Sequence, residues 1–169
     1  MRIFQQNKDK WLGKWLDALF STYPAESAFF FRNTIDSFSN PVGATLKTGL
    51  TDLYDALTAP RFNPEATRKI LEPVVKLRAV QEFTPALALG FIYELKAIVS
   101  AGSQLSGQEK EVVFSRIDTA MLYAFDLYME NKKIIYTLRA SQARDNVRQL
   151  LIKKDLICEL PEIDPELAR

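Results

Sequence analysis

The sequence predicts an all-α fold: a single-domain helical bundle of about six to seven helices, ending in a long C-terminal helix. Three observations carry this. Apolar residues recur at three- and four-residue spacing through most of the chain. Two helix starts are spelled Asn40-Pro41 and Asn63-Pro64, an N-cap followed by a residue whose missing N–H costs nothing at the first helical position. From Gln108 to about Ile157 no proline or glycine interrupts the chain.

The stretch from Arg78 to Val99 organises the rest. Between Thr84 and Tyr93 there is no charged residue. Thr84 is placed as an N-cap and Pro85 as a first helical residue. Leu87, Phe91, Leu95 and Ile98 share one face, and Leu89, Ile92 and Val99 cover much of the remainder. A helix apolar nearly all round is wrapped by other helices or by lipid. The uncharged run is far short of the ~20 residues that cross a bilayer. Pro85 to Ile98 is therefore predicted to be a central helix enclosed by its own bundle.

The other elements follow in order. Trp11, Leu12, Trp15, Leu16, Leu19 and Phe20 form the stripe of a first helix over about Asp9 to Tyr23, stopped by Pro24. A short helix from Ala25 to about Arg32 contains Phe29-Phe30-Phe31, of which at least one must lie near the surface, since neighbours on a helix point apart. Asn33 to Asn40 is a polar loop. Leu46, Leu50, Leu53, Tyr54 and Leu57 face the core from the next helix, where Gly43 and Gly49 mark close approach of a neighbouring helix. Ala66, Ile70, Val74 and Leu77 line the helix after Asn63-Pro64, and Pro73 inside it removes a backbone hydrogen bond and predicts a kink. Ser106 and Glu109 have capping-box spacing. Beyond them Ile117, Ala120, Ala124 and Leu127 form a seam, continued less regularly by Ile134, Leu138, Val147, Leu150 and Leu151. This is either one helix or two with a break near Glu130. A helix that outruns a compact domain needs a cover, so these last five residues are the candidate association surface, with a homodimer as the expected assembly.

Composition narrows the function. At 169 residues the chain suits one domain with a sizeable core. With 22 basic and 21 acidic residues, strong global attraction to nucleic acid or anionic membrane is not expected. There is no histidine, which removes the usual general base, the commonest metal ligand and the usual proximal haem ligand. Cys158 alone can form no internal disulfide and no all-thiolate metal site, which fits a reducing compartment. The N-terminus lacks an apolar core of signal-peptide length, and a cytoplasmic location is expected. No catalytic residue, cofactor or metal ligand is assigned.

Arg78, Gln81, Glu82 and Thr84, at the mouth of the central helix, are candidates for a capping network or for ligand contacts, with the structural reading preferred. An enzyme would have to use carboxylate, lysine, tyrosine or arginine chemistry, with Glu82, Tyr93, Glu94 and Arg78 as its nearest candidates. Lys132, Lys133, Arg139, Arg144, Arg148, Lys153 and Lys154 face only Asp145 in sign. Such a run is usually a solvated face, and no nucleic-acid-binding motif accompanies it. Residues 1–155 are predicted to be the regulatory domain and 156–169 an acidic, proline-containing tail.

Two motifs carry a resemblance. Asn40-Pro41-Val42-Gly43 followed by Gly49-Leu50-x-x-Leu53-Tyr54-Asp55-Ala56-Leu57 resembles the N-terminal domain family of RsbRD-type RsbT co-antagonists. Arg78-Ala79-Val80-Gln81-Glu82-Phe83-Thr84-Pro85, with Ala88-Leu89-Gly90-Phe91-Ile92, is similar to that family's second signature. The resemblance covers roughly Trp11 to Leu127. It implies a non-enzymatic helical sensory or regulatory module of bacterial stress signalling, usually fused to an output domain such as a phosphorylatable STAS domain. The related RsbR sensor domain is a dimeric globin-like fold without haem, so the resemblance implies a globin-like bundle, a protein partner and no haem. The residues after Leu151 are too few for an output domain, so a stand-alone version, or a fragment, is expected.

Overall fold

The computed structural model describes residues 2–34, 36–81, 83–102 and 105–154. These residues form eight α-helices and no strand: α1 (Arg2–Gln6), α2 (Lys8–Phe20), α3 (Ala25–Asn33), α4 (Pro41–Thr58), α5 (Pro64–Val80), α6 (Pro85–Leu89), α7 (Phe91–Ser100) and α8 (Gly107–Lys153). The chain divides into two compact units, Met1–Lys132 and Lys133–Arg169.

In the first unit α4 packs along α5, and α2 lies against α7 and α4. Trp15, Leu19, Leu46, Leu50, Leu53, Val75, Ile92, Leu95, Ile117 and Ala124 meet in one core. The predicted stripe of α4 is buried, and that of α2 is buried at Trp11, Trp15, Leu19 and Phe20. On α5 only Val74 of the predicted face is buried, and the buried side is shifted to Thr67, Leu71, Val75, Arg78 and Ala79. The sequence missed α1, which closes where the Asn7 side-chain amide donates to the Ile3 carbonyl at 3.0 Å. It seats Phe4 edge-on against Trp11 at 5.5 Å between ring centroids. Of the three adjacent phenylalanines, Phe29 and Phe30 are exposed, while Phe31 packs against Phe20 and Tyr23.

The two Asn-Pro starts work as caps. Asn63 Oδ1 accepts from Ala66 N at 3.1 Å. Asn40 is buried. Its Oδ1 accepts from Gly43 N at 2.8 Å, and its Nδ2 donates to the carbonyls of Phe31 and Thr34, tying the end of α3 to the start of α4. The two glycines therefore serve different purposes. A Cβ at 43 would collide with the Asn40 side chain, not with a neighbouring helix as expected. A Cβ at 49 would collide with Val74 Cγ2, so Gly49 is where α4 and α5 come together.

One expectation about the central stretch needs correction: Pro85 to Ile98 is not one helix enclosed on every side. It is α6 and α7 joined at Gly90, with Leu87, Tyr93, Glu94 and Ala97 exposed. Phe91, Ile92, Leu95 and Val99 are buried on a single face, as in an ordinary amphipathic helix. Pro73 sits inside α5, which runs through it to Val80. Pro73 and Lys69, whose carbonyl lost its helical donor, are both exposed. Near Glu130 no break occurs, and α8 is one helix to Lys153. The Ser106 hydroxyl and the Glu109 carboxylate exchange bonds across its first turn, as the capping box requires.

Tyr54 provides a pH test of this core. Its hydroxyl is buried and donates to the Phe4 carbonyl at 2.9 Å. Burial first, and the neighbouring Asp55 charge second, push its ionisation above the usual phenol range. Above pH ~10 the unfolded chain releases this proton and the folded chain keeps it. The stabilisation is whole below that pH and is lost as pH rises. Tyr54→Phe should therefore lose less stability than the parent between about pH 9 and 11 in urea titrations. Parallel losses would show that Tyr54 is not linked.

Candidate functional site

Arg78 lies in the last turn of α5 and is fully buried. Its Nε donates to the Ala88 carbonyl at 2.7 Å, and its Nη2 to the Leu87 carbonyl at 2.6 Å and to Thr22 Oγ1 at 3.2 Å. The guanidinium carbon sits 4.4 Å from the Phe83 ring centroid, 5.2 Å from Tyr23 and 5.7 Å from Phe91. Nη1 is buried without a hydrogen-bond partner. Burial lowers the guanidinium's affinity for its proton, and the nearby Tyr23 opposes this. An arginine starts so far above neutrality that it stays charged. Aromatic faces and aligned carbonyls take the place of a counter-ion around it.

The cluster brackets α6. Thr84 Oγ1 accepts from Leu87 N at 3.4 Å at its N-terminal end. Arg78 takes the carbonyls of its last turn, groups that a helix end leaves without intrahelical donors. At Gly90 the chain turns into α7, and a Cβ there would lie 2.6 Å from the Ala86 carbonyl oxygen. On the far side of that turn Trp15 Nε1 donates to the Phe91 carbonyl at 2.6 Å. Gln81 Oε1 accepts from the Tyr23 hydroxyl at 2.9 Å, and Glu82 lies outside the described residues. Arg78, Gln81 and Thr84 thus share one neighbourhood. Their hydrogen bonds go to the protein's own backbone and to Thr22 and Tyr23. The other two enzyme candidates, Tyr93 and Glu94, are on the solvent side of α7 while Arg78 is sealed in the core.

An open groove of about 540 Å³ lies between α4 and α5, lined by Thr45, Thr48, Gly49, Asp52, Lys69 and Pro73. Among the described residues no three His, Cys, Asp or Glu side chains cluster as metal ligands, and no helix is long and apolar enough to cross a membrane.

A family model described as the RsbT co-antagonist protein rsbRD N-terminal domain matches residues 9–143, most of the chain. The chain belongs to the RsbRD N-terminal domain family. No curated protein and no solved structure matches it. The family is one of signalling-related regulatory domains. The residues that resemble its two signatures are, in this RsbRD N-terminal domain, the Asn40 cap, the Gly49 contact, and the Arg78 and Thr84 brackets of α6.

The family match ends ten residues before the last residue of α8. In the second unit no described residue is buried. Ile134, Leu138, Val147 and Leu150 are 58, 59, 54 and 61 % exposed, and Leu151 is half-buried. At 3.6 residues per turn these five do not share a face: Leu138 and Val147, nine residues apart, point in opposite directions. Ile134 lies with Leu138, whereas Leu150 and Leu151 lie with Val147. Sequence reasoning missed that Tyr136, Ala140, Ala143, Val147 and Leu150 follow one another at steps of four, three, four and three. Alternating steps of four and three are the spacing of a coiled-coil seam, and they were legible in the sequence.

Proposed function

We propose that this RsbRD N-terminal domain is a non-enzymatic, cytoplasmic regulatory module that acts by protein–protein association through the C-terminal half of α8. Its first partner is a second copy of the chain. One observation carries the reading: the Tyr136–Ala140–Ala143–Val147–Leu150 seam is exposed in a unit none of whose described residues is buried. In proteins most helical stability comes from packing of an apolar face, and exposed apolar seams mark association sites. Residues 1–155 make up the regulatory module and 156–169 its acidic tail. The Arg78 cluster is read as structural, because its hydrogen bonds are directed at the carbonyls of α6 and at Thr22.

Sedimentation of a paired variant tests this. Val147→Asp/Leu150→Asp should weaken self-association at least about 100-fold, or about 2.7 kcal/mol, with thermal stability of the first unit unchanged. Ile134→Asp/Leu138→Asp, on the opposite face, should leave it within about threefold, or about 0.7 kcal/mol. Equal effects of the two pairs would reject the seam as the contact.

A further inference from the structure

The seam of the second unit has a counterpart on the first. In the part of α8 that belongs to Met1–Lys132, Leu122, Phe125 and Met129 are all exposed. They follow one another at steps of three and four, so they form one apolar patch on the outer side of the helix. The inner side, with Ile117, Ala120, Ala124 and Leu127, is buried.

The patch and the seam differ in charge. From Glu111 to Glu130 α8 holds four acids against Arg116 alone. Arg116 is turned inward, its Nη1 donating to the carbonyls of Leu57 and Ala59. Asp118 pairs with Lys96, and Glu130 with Arg68. Glu111 and Asp126 are exposed and have no ion-pair partner among the described residues. In the second unit Arg144, Arg148 and Lys153 are likewise exposed without an ion-pair partner among the described residues. Between Lys133 and Lys154 Asp145 is the one acid. Two copies paired in parallel would bring basic half against basic half, and like charges side by side are unfavourable. The acidic patch is the complementary surface.

Shape agrees with charge. Leu122 and Met129 take the a positions of the patch and Phe125 its d position. Ala140 and Val147 are the a positions of the seam, and Ala143 and Leu150 its d positions. An antiparallel pair sets a against d. Phe125 then meets the partner's Val147, Leu122 meets the partner's Leu150, and the long Met129 side chain fills the space over the partner's Ala143. In such a pair the e edges of the two helices lie side by side. They hold Asp126 on the patch and Arg144 on the seam.

We propose that the C-terminal half of α8 docks antiparallel on the Leu122–Phe125–Met129 patch of a second copy, with Asp126 beside the partner's Arg144. This rests on the reading that the seam is an association surface, and names the surface it meets.

Charge reversal tests the edge pair, by sedimentation of the full chain at low salt, where screening is weakest. Asp126→Arg and Arg144→Asp should each weaken self-association at least about tenfold, and Asp126→Arg/Arg144→Asp should restore it to within about threefold of the parent. Losses that add in the double variant, or a tighter dimer in Arg144→Asp alone, would overturn the docking. Cysteine cross-linking reads the same contact without relying on charge. In a Cys158→Ser background, Phe125→Cys chains mixed with Val147→Cys chains under mild oxidation should form the mixed covalent pair, and neither should link to itself. Self-linking of Val147→Cys, or no link in chains that still associate, would overturn the antiparallel docking and keep the seam as an association surface. A parent chain that stays monomeric would remove that reading, and the docking with it.

Discussion

Arg78→Ala should destabilise the first unit by about 3–5 kcal/mol, because it leaves a buried carbonyl at Ala88 and a part-buried one at Leu87 without this donor, at about 1–3 kcal/mol for a buried group, and empties the space the side chain fills. The guanidinium is the only described side chain that holds the Leu87 and Ala88 carbonyls, and it also fills the space between Tyr23, Phe83 and Phe91. Arg78→Lys should recover less than half of the loss. An ammonium is a point charge that cannot present the Nε–Nη2 edge to two adjacent carbonyls. Urea unfolding followed by circular dichroism measures both. Full stability in the lysine variant would mean that charge alone matters at this position and that the fork geometry is incidental.

Trp15→Ala should be of similar size, about 3–5 kcal/mol, through the cavity left by a large buried ring. Trp15 is completely enclosed, lies 6.3 Å from the Phe91 ring, and donates its indole N–H to the Phe91 carbonyl. Trp15→Phe separates packing from hydrogen bonding. It retains most of the ring and should cost about 1–3 kcal/mol for the carbonyl left unpaired. Trp11 remains as a fluorescence reporter in both variants. Identical losses for Phe and Ala would show that the hydrogen bond outweighs the packing, contrary to this account. The stability of a domain of this kind is about 5–15 kcal/mol, so either alanine variant removes a large part of it.

Most of the helical order was legible because its signals are local. Asn40-Pro41, Asn63-Pro64, Thr84-Pro85 and Ser106 with Glu109 are caps whose partners lie three residues away, and a short sequence window contains both halves of each. The stripes of α2 and α4 were legible for the same reason, whereas on α5 the buried side includes Thr67 and Arg78, polar residues that an apolar pattern does not count. What the sequence could not show depends on groups distant in the chain. The turn at Gly90 is held by a guanidinium ten residues upstream of Ala88 and by an indole 76 residues from Phe91. Apolar content alone therefore read α6 and α7 as one enclosed helix. Gly43 and Gly49 look alike in sequence, and only the position of Val74 separates them. In the C-terminal half of α8, five apolar residues taken by type combined two opposite faces, and the four-three spacing through two alanines was passed over because alanine is a weak hydrophobic marker.

The mass of the full chain in solution tests the central claim most directly. Sedimentation equilibrium over a range of micromolar concentrations should give twice the 19.3 kDa of one chain, reversibly, with Val147→Asp/Leu150→Asp reduced to a single chain. A parent protein that holds the mass of one chain across the whole range would contradict the assignment of α8 as an association helix.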